Sequence, residues 1–201
     1  MASLQVCLRG FRSELSRLRA IHVSISHLSP QHRYPIAELI LLRFFDSFEQ
    51  LVSQTAFRLA CGAKYLDGTQ PTLLARANSL EQARFLMLTN GRIRAKTSLE
   101  WSKASMIVES VNKVIDPSDH FVLYSQSHGV PINQLRVVRN VIAHRSTNAK
   151  TQYCEIILRP QYGSDLYIRP GMYLLTQRFS PSPLETLFAT GEIMAKEYVR
   201  E

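Results

Sequence analysis

A long stretch of this chain repeats hydrophobic residues every three or four positions, and that repeat constrains the fold more than any other feature. It includes Ile36, Leu39, Ile40, Phe44, Phe48, Leu51 and Leu59. This spacing places side chains on one face of an α-helix. We therefore predict a helix from Pro35, which suits a first helical position, to Cys61-Gly62, about 40 Å long at about 1.5 Å per residue.

Further helices are predicted on both sides of this one. A repeat of apolar residues indicates a first helix that ends before Pro30. Asn78, Thr97 and Ser182 are each followed three residues later by a glutamate, the spacing of a capping box at a helix start. The additional helices are expected over residues 4–28, 79–88, 98–115, 119–127, 131–146 and 183–199. The fold class is therefore mostly α, a helical bundle.

The pattern changes after residue 147. Tyr153 to Arg159, Asp165 to Arg169 and Tyr173 to Phe179 are rich in β-branched and aromatic residues and are separated by glycine-containing turns. We therefore predict a small β-hairpin or meander. The whole chain, 1–201, should form one domain, with a helical core over 1–147 and the hairpin and last helix added over 148–201.

The charge of the chain favours a polyanionic partner. Lys and Arg number 24 against 16 Asp and Glu, a formal net charge of +8. Such a balance attracts phosphate backbones through counterion release, and nucleic acid is the commonest partner of this kind.

Several classes of protein are disfavoured. The three cysteines are far apart in the sequence and show no paired spacing. No His-rich or carboxylate cluster has metal-ligand spacing, so no metal and no cofactor are expected. The first ten residues lack a signal-peptide pattern, and the richest apolar run, Ile36 to Phe45, is too short to span a bilayer. A cytoplasmic location without membrane contact is expected.

The chemistry is concentrated on the helix predicted over 131–146. Its apolar positions Leu135, Val138 and Ile142 share one face and should meet the core. Arg136, Asn140 and His144, spaced by four, form a polar stripe on another face, and Arg139 stands at its border.

A guanidinium, an amide and an imidazole together suit phosphodiester chemistry. Guanidinium binds phosphate through a planar fork of donors, and imidazole changes charge near neutral pH. In RNA the neighbouring 2′-hydroxyl is a built-in nucleophile. A site that removes its proton and stabilises the charged phosphorane can cleave the chain without a metal ion.

The segment Arg139-Asn140-x-x-x-His144 resembles the R-x(4 to 6)-H motif of the HEPN superfamily, which includes toxins, phage-defence ribonucleases and RNA-cleaving stress sensors. The resemblance implies an all-α bundle and a homodimer in which two motif helices build one cleft. It implies that Arg139 holds the scissile phosphate, that His144 is the general acid or base, and that Asn140 orients them. The resemblance also implies that the chain is an endoribonuclease used as a toxin or in antiviral defence. Its activity would be controlled by an antitoxin or another regulatory protein. A subgroup carries Tyr where this chain has Ser146, so silencing by modification of that Tyr is not expected here.

Other cations are candidates for binding RNA. Arg136 and Arg145 flank the motif, and Arg92, Arg94 and Lys96 form a short basic loop that could also be a solvated connector.

Two alternatives remain open for the whole chain. One is a noncatalytic HEPN-like module that binds RNA or a protein, and the other is a structural dimerisation domain.

Overall fold

A computed structural model of the chain describes residues 3–163 and 166–201. Helices account for most of these residues, which confirms the mostly α fold class. They are α1 (Leu4–Ser24), α2 (Pro30–Ala60), α3 (Leu80–Thr89), α4 (Ala104–Val111), α5 (His120–Ser127), α6 (Gly129–His144), α7 (Thr147–Tyr153), α8 (Arg159–Tyr162), α9 (Pro170–Leu174) and α10 (Pro183–Val199). A π-helical segment, Cys154–Leu158, joins α7 to α8. Within the described ranges, no helix is long and apolar enough to cross a bilayer.

The chain divides into two compact units. The first comprises Met1–Phe11, Phe48–Asn133 and Ile193–Glu201, and the second comprises Arg12–Ser47 and Gln134–Glu192. Each unit has its own hydrophobic core. In the first, the fully buried rings include Phe48, Phe121 and Tyr198, and in the second they include Phe44, Phe45 and Tyr153. The second unit contains Arg139, Asn140 and His144.

Helix α2 begins five residues earlier than predicted. The Ser29 carbonyl accepts hydrogen bonds from the backbone N–H groups of His32 and Arg33, each at 3.0 Å, so Pro30 opens the helix. Proline is well suited to this position because it has no N–H that would lack a partner. Pro35 lies inside α2, where it removes only one early backbone bond. The helix start predicted at Pro35 is therefore wrong.

A second predicted helix start and one predicted helix cap are also wrong. Helix α4 begins at Ala104 and not near residue 98, because Glu100 exchanges hydrogen bonds of 3.2 Å with the Ser110 hydroxyl through its backbone N–H and carbonyl. Those bonds replace the ones that a helix over 98–103 would need. At α3 the cap is Ser79, whose hydroxyl accepts from Gln82 N at 3.1 Å, and not Asn78.

The predicted β-hairpin is not present. The described residues contain no strand, only an isolated bridge between Leu73 and Ile115. Tyr153 to Arg159 is helical, and Tyr173 to Phe179 begins within α9. Leu166 to Arg169 lies in no helix or strand, while Asp165 and the turn residue Ser164 lie outside the described residues. Tyr153 and Ile157 are four residues apart and both buried, so burial on one helical face outweighs their β-propensity.

The capping box predicted for the last helix is confirmed. The Ser182 hydroxyl and backbone N–H each donate to the Glu185 carboxylate at 2.8 Å, and Glu185 N donates back to the hydroxyl at 3.4 Å. These hydrogen bonds, together with the neighbouring His22, hold the pKa of Glu185 below its ordinary value.

This lowered pKa predicts a pH-dependent contribution to stability. A carboxylate with a depressed folded pKa stabilises the fold above its unfolded pKa of about 4.3, and this stabilisation is lost as the pH falls through the folded pKa. Glu185→Gln should therefore lower the Tm slightly at pH 7, and the difference should shrink below about pH 4. Thermal melts of both proteins across this range measure it. A Tm difference that does not change with pH would contradict the prediction.

Gly171 is required where α9 meets α2. A Cβ added at this position would lie 2.4 Å from the Tyr34 carbonyl oxygen, and Gly171 N donates to Glu38 Oε1 at 3.0 Å. Because backbone cannot yield as a flexible side chain does, we expect Gly171→Ala to destabilise the protein by about 1–3 kcal/mol. The matched control is Gly10→Ala in α1, where a Cβ meets nothing within 4 Å. Urea unfolding should show a lower midpoint for the first variant alone.

Candidate functional site

The candidate site lies on α6 in the second unit. As predicted, Leu135, Val138 and Ile142 are buried, with exposed fractions of 6–8%. The sequence of α6 contains no acidic residue, so its polar side carries cationic and neutral groups only. This helix therefore presents a positively charged surface without an internal carboxylate to neutralise it.

The Arg139 side chain is half-buried and held from two directions. Its Nη1 donates to Asn140 Oδ1 at 3.1 Å, which places the amide and the guanidinium in direct contact. Its Cζ lies 5.4 Å from the centroid of the Phe45 ring, within the range of a cation–π interaction. Both contacts restrict the guanidinium, whose remaining N–H donors can still bind an anion.

His144 is the last residue of α6, and its side chain is exposed. In the part of the chain that the structure describes, its imidazole makes no hydrogen bond or ion pair, which leaves both ring nitrogens accessible. His144 follows Arg139 by five residues, about 140° around a helix, whereas it shares a side with Asn140. One α6 helix thus brings Asn140 to Arg139 but directs Arg139 and His144 to different sides.

The chain changes direction immediately after His144. Arg145 has a positive φ of 50° and ends the helix, and the Ser146 hydroxyl then caps α7 by accepting from Ala149 N at 3.2 Å. Ser146 therefore has a structural role. The turn leaves Arg145 exposed beside a cleft of about 430 Å³, whose lining also includes Lys150 and Arg169.

The remaining RNA-binding candidates differ in their surroundings. Arg136 is half-buried on α6. In the first unit, Arg92 bonds inward to the carbonyls of Met87 at 3.0 Å and Glu109 at 2.7 Å, and Lys96 pairs with the Glu109 carboxylate at 2.7 Å. Arg94 is exposed. Two of the three cations in the basic loop, Arg92 and Lys96, therefore bond to other residues of the first unit and stabilise the loop.

Several residues near the site were not identified from the sequence. Phe45 belongs to the apolar repeat of α2, and nothing in that repeat indicates a contact with Arg139. Tyr167 and Arg169 lie in a segment that was predicted as a strand, and Lys150 lies just before the first predicted strand, so their proximity to Arg145 could not be inferred. A correct helical assignment of Thr147–Tyr153 would have placed Lys150 in the first turn of α7, six residues after His144.

Neither a metal-binding cluster nor a known relative accompanies the candidate site in the described residues. Among residues 3–163 and 166–201, no group of three or more His, Cys, Asp or Glu side chains could hold a metal ion. Comparisons of the chain find no matching protein-family model, no matching curated protein and no matching solved structure.

Proposed function

We propose that this protein is a metal-independent endoribonuclease of the HEPN type that acts on RNA as a homodimer. The observation that carries the proposal is the arrangement on α6, where Asn140 and Phe45 hold the Arg139 guanidinium and the His144 imidazole is exposed without a partner among the described residues. The proposal includes a toxin or phage-defence role in the cytoplasm, which rests on the resemblance of the motif and would require an antitoxin or another regulator.

The reaction needs only groups that the chain provides. The 2′-oxygen of RNA attacks the adjacent phosphorus, and the bond from phosphorus to the 5′-oxygen breaks. The products are a 2′,3′-cyclic phosphate and a 5′-hydroxyl. His144 takes the 2′-hydroxyl proton or supplies the proton to the 5′-oxygen, and the other proton is exchanged with water. Arg139 stabilises the negative charge that develops on the phosphorane.

Arg139 and His144 lie on different sides of α6, and a dimer would bring these two kinds of side chain together. If α6 of one protomer faces α6 of its partner, the arginine of one chain and the histidine of the other can meet at a shared cleft. Ala143 is exposed next to His144, and its small side chain would permit a close approach of the second helix. Sedimentation analysis should accordingly find a dimer at micromolar concentration.

Product analysis tests the proposed chemistry directly. Purified protein is incubated with RNA in excess EDTA, and the new ends are identified by mass spectrometry. We expect fragments that end in 2′,3′-cyclic phosphates. A matched RNA with a single 2′-deoxynucleotide at the mapped cleavage position should stay intact there, because it lacks the nucleophile. The proposal is overturned by an absence of cleavage in EDTA or by products with 3′-hydroxyl and 5′-phosphate ends.

The half-buried position of Arg139 favours a second candidate function. A guanidinium already engaged by Asn140 and Phe45 can serve a noncatalytic module that binds RNA or a protein partner. Such a module would bind RNA in a salt-sensitive manner and release no cyclic-phosphate products. The product assay therefore separates the two functions.

A further inference from the structure

The cleft beside the end of α6 has the size of a small-ligand site. It encloses about 430 Å³ in the second unit. Binding pockets for small ligands typically enclose about 300–1,000 Å³, so one nucleotide of an RNA strand fits this space. Its walls come from the first turns of α2, the end of α6, α7 and the segment before α9.

Positive charge predominates on the walls of the cleft. Arg145, Lys150 and Arg169 line it, all three are exposed, and none makes an ion pair within the described part of the chain. Among the described lining residues, Glu38 is the one carboxylate, and its Oε1 accepts a hydrogen bond from Gly171 N. Three cations against one engaged carboxylate make the cleft attractive to a phosphate group.

The start of α2 adds to this potential. Pro30 and Gln31 line the cleft, and the first turn of α2 contains no acidic residue. The N-terminus of a long helix carries partial positive charge because its peptide dipoles are aligned. This charge has the same sign as that of Arg145, Lys150 and Arg169, so the two contributions reinforce each other.

Tyr167 supplies an aromatic surface on the same cleft. Its ring meets the Tyr153 ring edge-on, with centroids 6.1 Å apart, and 43% of the residue remains exposed. The pKa of Tyr167 is raised, first by burial and then by Cys154 and Glu38, and the nearby Arg169 and Arg145 oppose this rise. An exposed aromatic ring beside cations is the combination that binds a base together with its phosphate.

We propose that this cleft binds one nucleotide of the RNA strand next to the cleaved bond, with its phosphate held by Arg145, Lys150 and Arg169 and its base stacked on Tyr167. The inference rests on the proposed function for the identity of the ligand. Arg145 directly follows His144 in the chain, so a strand held in the cleft passes close to the proposed general acid or base. The cleft thereby fixes the register of the RNA on the enzyme.

Binding to an RNA that cannot be cleaved tests this site without relying on catalysis. The probe is a fluorescent 2′-O-methyl RNA hexamer, and its Kd is measured by anisotropy at several salt concentrations. Arg145→Gln, Lys150→Gln and Arg169→Gln should each weaken binding and each reduce the slope of log Kd against log salt by about 1. Arg84→Gln, at an exposed arginine of α3, is the matched control and should leave the slope unchanged.

Stacking is tested separately from charge. Tyr167→Ala should raise the Kd for the hexamer roughly tenfold, and Tyr167→Phe should restore it, because the ring alone provides the stacking surface. Thermal melts show whether each variant is folded. An unchanged Kd in Tyr167→Ala would overturn the assignment of the base, and an unchanged salt slope in the triple glutamine variant would overturn the phosphate site.

Two further probes identify the ligand class. Free uridine monophosphate should bind more weakly than the hexamer, and tighter binding of the mononucleotide would overturn the assignment to a strand. Polyglutamate should bind weakly and without dependence on Tyr167, and equal affinity would instead indicate an acidic peptide site. Retained hexamer binding in the triple variant, together with cleavage that requires Arg139, would defeat the cleft proposal alone. If the triple variant loses hexamer binding but the wild-type protein does not cleave RNA, the nuclease proposal alone fails.

Discussion

Replacing Arg139 with alanine should lower the rate of RNA cleavage by about 100-fold or more, and replacing His144 with alanine should have a similar effect. Under the proposed function, Arg139→Ala would remove the charge that stabilises the phosphorane, and His144→Ala would remove the group that transfers a proton. Both side chains lie outside the fully buried core, so both variants should remain folded. Single-turnover cleavage rates, with circular dichroism as a check of folding, measure the effect.

Matched controls come from the same unit of the chain. Arg43 and His27 are exposed and are distant from the motif in sequence, and their replacement by alanine should leave the cleavage rate nearly unchanged. If Arg139→Ala and His144→Ala cleave as fast as these controls, the site is wrongly assigned.

Mixing the two inactive variants tests whether the site is shared between protomers. In a random mixture of Arg139→Ala and His144→Ala, about half of the dimers contain one chain of each kind. If the arginine of one chain acts with the histidine of its partner, each mixed dimer has one intact site, and about a quarter of the wild-type activity should return. No recovery after exchange of subunits would show that Arg139 and His144 act within one chain.

Local signals in the sequence predicted the parts of the fold that depend on local interactions. The capping box of Ser182 and Glu185 is formed within four residues, and the buried face of α6 follows from its own apolar spacing. The helical pattern also placed Asn140 beside the motif arginine. Each of these features depends on residues that are neighbours in sequence, which is why pattern and propensity suffice.

The features that were missed depend on distant partners. Phe45 lies 94 residues before Arg139, and Glu38 lies 133 residues before Gly171, to which it is bonded. Tyr153 and Ile157 have strong β-propensity, and only their burial against the rest of the unit shows that helix prevails. The cleft also requires knowledge of which segments meet, because its cations are unremarkable in the sequence alone.

Asp119→Ala should produce the largest loss of stability, about 4 kcal/mol in the free energy of unfolding. Asp119 is 4% exposed and accepts three hydrogen bonds in the first unit. They come from the Tyr65 hydroxyl at 2.5 Å, from Thr72 N at 2.8 Å and from Phe121 N at 2.9 Å, the last of which caps α5. Alanine leaves these donors without their carboxylate, and the buried Tyr65 hydroxyl cannot turn to water.

Graded variants separate the carboxylate from the tyrosine. Tyr65→Phe removes one of the three donors and keeps the ring, so it should cost about 1–2 kcal/mol. Asp116→Ala is the matched control, because among the described residues the Asp116 carboxylate accepts only from Ser118, in a solvated turn. Its urea midpoint should be close to that of the wild type. Since Asp119 accepts hydrogen bonds from both α5 and the Tyr65 loop, its replacement should destabilise both segments together. Hydrogen exchange should therefore accelerate in both segments of Asp119→Ala. Acceleration in α5 alone would show that Asp119 acts only as the N-cap of α5.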